Sequence, residues 1–321
     1  MSNKRLDFLD YAKGIGILLV VLAHIYCFNS DINRGIVTTW IYSFHMPLFF
    51  IISGMLLRYK NTKLKKISIF KIAYGILLPY ILFSIITIIV KELLYGFSIK
   101  LLVWDSLYTI TGLGLDVLWF LPALFIGETF FLVLNRYIKN EYVKLGLITV
   151  IFIGATFITR ENSVVLIVLA RSIIALGFIA VGYYLYKLIA NKEIRIIYLI
   201  GLLIVQVISA KINGFVDLNN LVFNNRLLYL INSIIGSIII INLCKKIKRA
   251  NILSYFGKNS IVVMGMHMNL IAIYISLEKF NLFSYTTGII LLIGLLVVEI
   301  PIIYIYNNIM KKFNFIKYII N

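Results

Sequence analysis

The chain has 321 residues, of which 61% are hydrophobic and only 14% are charged. Soluble domains are about a quarter charged, so this composition excludes an ordinary soluble protein and predicts one embedded in a lipid bilayer. The net charge of +18 resides mainly in short loops between apolar segments. Membrane orientation requires basic residues at such positions, so the charge does not indicate a nucleic-acid partner.

Apolar segments recur along the whole chain, and each approaches the length that crosses about 30 Å of hydrocarbon. We predict an all-α, polytopic transmembrane helix bundle in which residues 1–321 form one domain, without a soluble accessory domain. Residues 96–115 are too interrupted to span and are expected to lie at the outer surface or to re-enter the membrane. About ten spans are predicted, at residues 11–30, 36–57, 70–94, 116–135, 145–160, 164–187, 194–211, 226–244, 260–278 and 286–310.

The distribution of lysine and arginine predicts the orientation of these spans. Basic residues are concentrated on alternate loops, including the loop 58–66 and the loop 245–258. Loops that face the cytoplasm carry such an excess, so we expect these loops there. An even number of spans then leaves both chain termini in the cytoplasm.

The first span carries two ionisable groups on one helical stripe. His24 lies eleven positions after Lys13, which is about three turns plus 20°, so both side chains face the same way, about 16 Å apart. Asp10 lies three residues before Lys13 and is expected to pair with it. A cation near the cytoplasmic surface and an imidazole in the outer half of the membrane therefore share one face.

The second span combines His45, Pro47, Ser53 and Gly54 in an otherwise apolar segment. Pro47 is expected to kink the helix beside His45, while Gly54 permits close helix packing and Ser53 can hydrogen-bond across to a neighbour. The short connection 29–35 predicts an antiparallel hairpin. His24 and His45 can then share one cavity, where a neutral imidazole is a suitable general base near neutral pH.

The other polar groups within spans have more than one interpretation. His267 either completes the site or packs its span against the first span. Trp119 is either an interfacial anchor or a platform for a sugar. Mutual pairing is one interpretation of three further charged groups within spans: Glu128, Arg171 and Glu299. No metal site is predicted.

Two stretches together resemble the acyltransferase-3 family of multi-pass bacterial membrane acyltransferases: LDYAKGIGILLVVLAH at 9–24, and FHMPLFFIISGML at 44–56. Lysine at position 13 resembles the branch related to sugar and fucose O-acetylases. The resemblance covers essentially the whole chain and continues, in the family's order, through GILLPYILF, LWFLPALF, LGFIAVGYYLYK, FGKNSIVVMGMH and VVEIP.

The resemblance implies transfer of an acyl group, most often acetyl, from cytoplasmic acetyl-CoA to a hydroxyl of an extracytoplasmic carbohydrate, at the plasma membrane. His24 would act as the base and His45 as its partner. His45 and Ser53 would orient the base or donate to the developing oxyanion. Residues expected to bind substrate or acyl-CoA are Asp10, Lys13, Ser53, Trp119 and His267. Many members carry an Arg-x-x-Arg pair in the third span, whereas this chain has Ile72 and Gly75 there.

A multi-pass transporter or flippase of a glycan or a proton-coupled solute is the alternative, because intramembrane histidines and interrupted spans also suit transport. Such a protein often contains internal repeats, and the histidine hairpin occurs once in this sequence. Association into a homo-oligomer stays open.

Overall fold

The computed structural model describes residues 7–27, 35–62, 68–277 and 285–320. These residues form helices joined by turns, with one isolated antiparallel bridge between Asp217 and Val222. The helices of the described residues are α1 (Asp7–Cys27), α2 (Ile36–Tyr42), α3 (His45–Thr62), α4 (Ile69–Tyr95), α5 (Ile99–Ile110), α6 (Phe120–Tyr137), α7 (Glu141–Ala155), α8 (Val164–Asn191), α9 (Ile196–Asn213), α10 (Arg226–Lys245), α11 (Asn251–Lys258), α12 (Ser260–Leu277) and α13 (Tyr285–Ile320).

Eight helical stretches of the described residues are long and apolar enough to cross a membrane, so the all-α membrane fold is confirmed. Predicted spans four and five correspond to α6 and α7, which are not among these eight. The 18 residues of α6 include Glu128 and Arg136, and α7 has only 15 residues. The ten-span count and the orientation therefore stay predictions. The eight stretches are Asp7–Cys27, Ile36–Lys60, Ile69–Tyr95, Val164–Ala190, Ile196–Asn213, Arg226–Lys245, Ser260–Leu277 and Gly288–Lys312.

The predicted second span is two helices rather than one kinked helix. Helix α2 ends before Ser43, and α3 begins at His45. Pro47 lies in the first turn of α3, where its missing N–H would have no helical acceptor, so the break precedes the proline. The carbonyl of Ser43 accepts a hydrogen bond of 2.9 Å from Ser233 of α10, and Gln206 of α9 donates to the Ser43 hydroxyl at 3.0 Å. These bonds give the polar groups of Ser43 hydrogen-bond partners at the break between α2 and α3. His45 therefore lies at the start of α3.

Glycines bring the central helices into backbone contact. A Cβ on Gly54 of α3 would overlap the carbonyl oxygen of Ile179 of α8, and one on Gly182 would overlap that of Ile51. The reciprocal contact fits the close approach expected of Gly54 and makes α3 and α8 a tightly packed pair. Helix α8 also packs on α6 and α7, so it connects α3 with these two helices.

Residues 96–115 form the short helix α5 followed by a tight turn. Gly112 and Gly114 adopt φ values of +75° and +76°, which favour glycine, and Asp116 follows with φ +48°. This turn buries the apolar side chains between 113 and 119 in the bundle while Asp116 stays exposed, and α6 begins at Phe120. The connection 29–34 and residues 63–66 of the predicted basic loop lie outside the described residues.

Candidate active site

The three histidines of the chain converge on one region of the bundle. His267 Nε2 of α12 lies 3.3 Å from His24 Nδ1 of α1, and the two ring centroids are 5.1 Å apart. Tyr42 contacts two of these histidines, since the centroid of its ring is 4.9 Å from that of His45 and 6.0 Å from that of His24. Among the described residues, His267 is the histidine within hydrogen-bond distance of His24, and Tyr42 has ring contacts with His24 and His45.

Each imidazole is oriented by its own helix. The Nδ1 atoms lie 2.9 Å from the Val20 carbonyl oxygen for His24, 2.9 Å from Ile41 for His45 and 2.7 Å from Val263 for His267. A carbonyl only accepts, so Nδ1 of each neutral ring carries the hydrogen. The unprotonated nitrogen, which can accept a proton from a substrate, is consequently Nε2.

His24 and His45 line one cavity of about 200 Å³, which we call the histidine chamber. Two carboxylates, an amide and an indole from the loops 112–119 and 214–225 complete the polar part of its wall. His267 is fully buried behind His24. The lining residues are His24, Tyr42, His45, Met46, Asp116, Val117, Trp119, Asp217, Leu218, Asn219, Met264 and Met268.

Arg171 of α8 holds these two loops together. Its Nη1 donates to the Leu113 carbonyl at 2.8 Å, and its Nε and Nη2 donate to the Asn219 carbonyl at 2.9 and 2.5 Å. The guanidinium lies 5.4 Å from the ring centroid of Trp119. Trp119 is itself only 4% exposed, so it is a wall of the chamber rather than an anchor at the membrane surface.

The interpretation that Glu128, Arg171 and Glu299 pair with one another is wrong. Arg171 binds the two loop carbonyls, and Glu128 accepts a short hydrogen bond from Ser53. Glu299 is buried, and neither of its carboxylate oxygens has a hydrogen-bond partner among the described residues. The three groups lie on three different helices, and apolar composition alone does not reveal which helix faces meet.

A second cavity, of about 500 Å³, contains Lys13 and Ser53, and we call it the lysine chamber. Lys13 Nζ is 3.0 Å from the Asp10 carboxylate, as their spacing predicts. Asp10 is buried and does not line the cavity, so it acts through Lys13. The lining residues are Lys13, Phe49, Ile52, Ser53, Leu56, Lys60, Ser68, Lys71, Ile72, Gly75, Ile76, Phe120, Leu124, Glu128, Lys258, Ser260 and Ile261.

Polarity changes along the lysine chamber. On α3, Phe49 comes first, Ser53 one turn later and Lys60 about two turns beyond that. The apolar Phe49 end therefore leads through the Ser53–Glu128 pair to an end that carries Lys60. Ser53 lies here rather than beside the histidines, so it has no contact with His24 in this structure.

Helix α4 carries Ile72 and Gly75 at the two positions where the resemblance would place arginines. Ile72 and Gly75 both line the lysine chamber, and a Cβ on Gly75 would meet no atom within 4 Å. The basic groups on this side come instead from Lys71 and Lys258. Lys258, assigned from the sequence only to a loop, is thus part of the chamber.

Sequence reasoning missed Tyr42, Asp116, Asp217 and Asn219. Tyr42 precedes His45 by three residues in the predicted second span, where this spacing would place both side chains on one helix face, and this was a usable signal. The other three lie in loops far apart in sequence, which carried no such signal. Among the described residues, no group of three or more His, Cys, Asp and Glu side chains could hold a metal ion.

The two chambers are joined by α1 and α3. Lys13 of α1 and Lys60 of α3 line the lysine chamber, whereas His24 and His45 line the histidine chamber. Helix α1 therefore runs from the lysine chamber to the histidine chamber and α3 runs back, which is the antiparallel arrangement predicted for the hairpin.

Comparison with known proteins identifies the family. The model of the acyltransferase-3 family, described as an acyltransferase domain, matches residues 6–307. No curated protein matches the chain, and no solved structure does. The matched region contains all three histidines and both chambers, and with most of its length covered by that match, the chain belongs to the acyltransferase-3 family.

Proposed function

We propose that the protein is an acyl-CoA-dependent O-acyltransferase that transfers an acyl group, most often acetyl, to a carbohydrate hydroxyl. The observation that carries the proposal is the course of α1. One helix presents Lys13 to a basic cavity and His24 to a histidine-lined cavity, about 16 Å apart along its axis. A donor whose anionic head and reactive end are separated by a long, thin arm fits this spacing.

The lysine chamber suits the donor. Phosphate groups of CoA would bind among its four lysines through charge-assisted hydrogen bonds. Glu128, held by Ser53, offers a carboxylate oxygen to the amide N–H groups of the pantetheine arm. The apolar end at Phe49 and Phe120 would contact the acyl end of the arm. The basic groups concerned are Lys13, Lys60, Lys71 and Lys258.

The histidine chamber suits the acceptor. Asp116, Asp217 and Asn219 can hydrogen-bond sugar hydroxyls, and Trp119 offers an apolar ring face to a pyranose. His24 Nε2 would remove the proton from the attacking hydroxyl. The acceptor oxygen then bonds to the acyl carbon, the carbon–sulfur bond breaks, and the proton on His24 passes to the departing CoA thiolate.

Tyr42 and His45 have different roles in this scheme. The Tyr42 hydroxyl accepts from the Cys27 thiol at 3.4 Å, so its own hydrogen can point to the developing oxyanion. His45, whose Nδ1 donates to Ile41, has only an acceptor nitrogen for the cavity. His45 would therefore orient the acceptor rather than donate to the oxyanion.

Orientation completes the proposal. The lysine chamber would face the cytoplasm, where acyl-CoA is found, and the histidine chamber would face the outside, where a surface polysaccharide or cell-envelope glycan is accessible. Lys60 and Lys258, which belong to the two basic segments expected in the cytoplasm, line the lysine chamber, and this supports the orientation. The membrane concerned would be the plasma membrane.

The test uses purified protein in lipid nanodiscs with acetyl-CoA labelled in its acetyl group. Binding is measured first, and transfer is then measured to a panel of methyl glycosides and to water. We expect saturable binding and label transfer that needs His24. Absence of both acyl-CoA binding and label transfer would overturn the proposal and would favour the transporter alternative.

A further inference from the structure

A single layer of side chains separates the two chambers. On α3, Met46 lines the histidine chamber and Phe49, one turn later, lines the lysine chamber. At the start of α6, Trp119 lines the histidine chamber and Phe120 the lysine chamber. On α12, Met264 lines the histidine chamber and Ile261 the lysine chamber. Three helices therefore change chambers at the same level of the bundle.

Two aromatic rings of the lysine chamber lie at this layer, Phe49 and Phe120, and we call them the phenylalanine partition. Their ring centroids are 5.9 Å apart, and Phe120 also packs on Phe50 at 4.9 Å. The Cζ atom of Phe49 would lie 3.2 Å from a Cβ on Gly16 of α1. Glycine at position 16 thus allows the Phe49 ring to close directly against the α1 backbone between Lys13 and His24.

The position of the partition imposes a condition on the proposed reaction. A donor bound by the lysines must carry its acyl carbon past Gly16, which lies about 12 Å along α1 from His24. The acyl group leads the thioester, so it crosses the layer first. It must then share the histidine chamber of about 200 Å³ with the acceptor hydroxyl.

We propose that the phenylalanine partition, and Phe49 in particular, selects the length of the transferred acyl group by limiting what passes from the lysine chamber to the histidine chamber. This inference rests on the proposed function. Phe120 is fixed by Phe50 and by the edge of Trp119, 6.3 Å away. Phe49 closes against a glycine, so its ring is the one that moves to admit a short chain.

The first test measures acyl selectivity. Acetyl-, butanoyl- and octanoyl-CoA are supplied separately to the nanodisc protein with methyl glycosides and water, and CoA release is followed. Phe49→Ala should raise the ratio of octanoyl to acetyl turnover at least about tenfold, since one methylene in an apolar pocket already discriminates by ten- to two-hundredfold. Phe49→Trp should slow acetyl turnover as well, because a larger ring narrows the passage.

The control variant also loses a buried phenylalanine ring, but at a site away from the partition. Phe131 of α6 is fully buried against Tyr183 and lines neither chamber, so Phe131→Ala creates a comparable cavity without opening the partition. It should leave the octanoyl to acetyl ratio unchanged. An equal rise in both variants would assign the effect to general loosening and overturn the role of Phe49.

The second test does not depend on turnover. Met46→Cys, in a background with Cys27→Ser and Cys244→Ser, places one thiol in the histidine chamber. In sealed vesicles, a small cationic methanethiosulfonate added on the side of Lys60 should react faster with this thiol when Phe49 is alanine, because no ring then closes against Gly16. An unchanged rate overturns the partition as a barrier.

The two tests separate the inference from the function on which it rests. Faster labelling with an unchanged acyl ratio leaves Phe49 as a barrier but overturns its role in selecting chain length. If the wild type transfers acetyl but Phe49→Ala changes neither the acyl ratio nor the labelling rate, this inference alone is overturned. Faster labelling in a protein that neither binds nor transfers any acyl-CoA overturns the proposed function, and chain-length selection falls with it.

Discussion

The role of His24 is tested most directly by His24→Gln compared with His267→Phe. Glutamine retains hydrogen bonding in a side chain of similar length but cannot take a proton from the acceptor. General-base catalysis contributes about 10²- to 10⁴-fold, so we expect His24→Gln to reduce acyl transfer by at least about a hundredfold. Binding of acyl-CoA should be retained, because His24 does not line the lysine chamber.

His267→Phe should have a smaller effect for a structural reason. The His24 Nδ1 hydrogen is shared between the Val20 carbonyl at 2.9 Å and His267 Nε2 at 3.3 Å, and the shorter bond remains in this variant. A neutral hydrogen bond contributes about 0.5–1.5 kcal/mol net, so the expected loss is at most about tenfold in turnover. The ring of His24 should keep its orientation.

The assay is transfer of labelled acetyl from acetyl-CoA in nanodiscs, with acceptor and donor both varied so that turnover and KM are measured separately. Near wild-type turnover by His24→Gln would refute proton removal by this residue. A loss in His267→Phe as large as in His24→Gln would refute the argument that Val20 alone is sufficient to orient the ring, and would make His267 a positioning residue.

Three further outcomes are expected. Lys13→Ala should weaken acetyl-CoA binding about ten- to a hundredfold, as for one lost charged hydrogen bond, whereas Lys13→Arg should largely retain it; titration calorimetry measures both. Arg171→Met should raise the KM for the acceptor more than that for the donor, because the two loops lose their shared clamp; faster hydrogen exchange at 112–119 should accompany it. Gly54→Val should destabilise the protein by about 1–3 kcal/mol, because its side chain overlaps the Ile179 carbonyl; thermal unfolding in detergent measures the change.

Each of these outcomes can fail independently. Equal donor affinity in the wild type and Lys13→Ala would remove Lys13 from the donor path. An Arg171→Met variant that changes only donor KM would contradict the assignment of the loops to the acceptor. Gly201→Val is the control for Gly54, since a Cβ there meets no atom within 4 Å, and an equal loss in stability from both would contradict the packing argument.

Features that depend on local spacing were predictable from the sequence. The eleven-position spacing of Lys13 and His24 specifies one helical stripe whatever surrounds it, and the structure places the two side chains in two chambers joined by that helix. The pairing of Lys13 with Asp10 follows from the same periodicity. The residues at which helices begin were less predictable. At the break before α3, the Ser43 carbonyl accepts its hydrogen bond from Ser233, which is 190 residues away in the sequence.

The sequence by itself determined the class of the protein, the order of its helices and the position of its histidines within spans, because hydrophobic length and helical periodicity are properties of short segments. Tertiary structure alone decided that His267 lies against His24, that Ser53 meets Glu128 in the other chamber, and that Phe49 and Phe120 stand between the two. The physical reason is that helices apolar around their whole circumference do not specify which faces meet. Close backbone contacts such as Gly54 against Ile179 decide the meeting faces, and they form only when both helices are present.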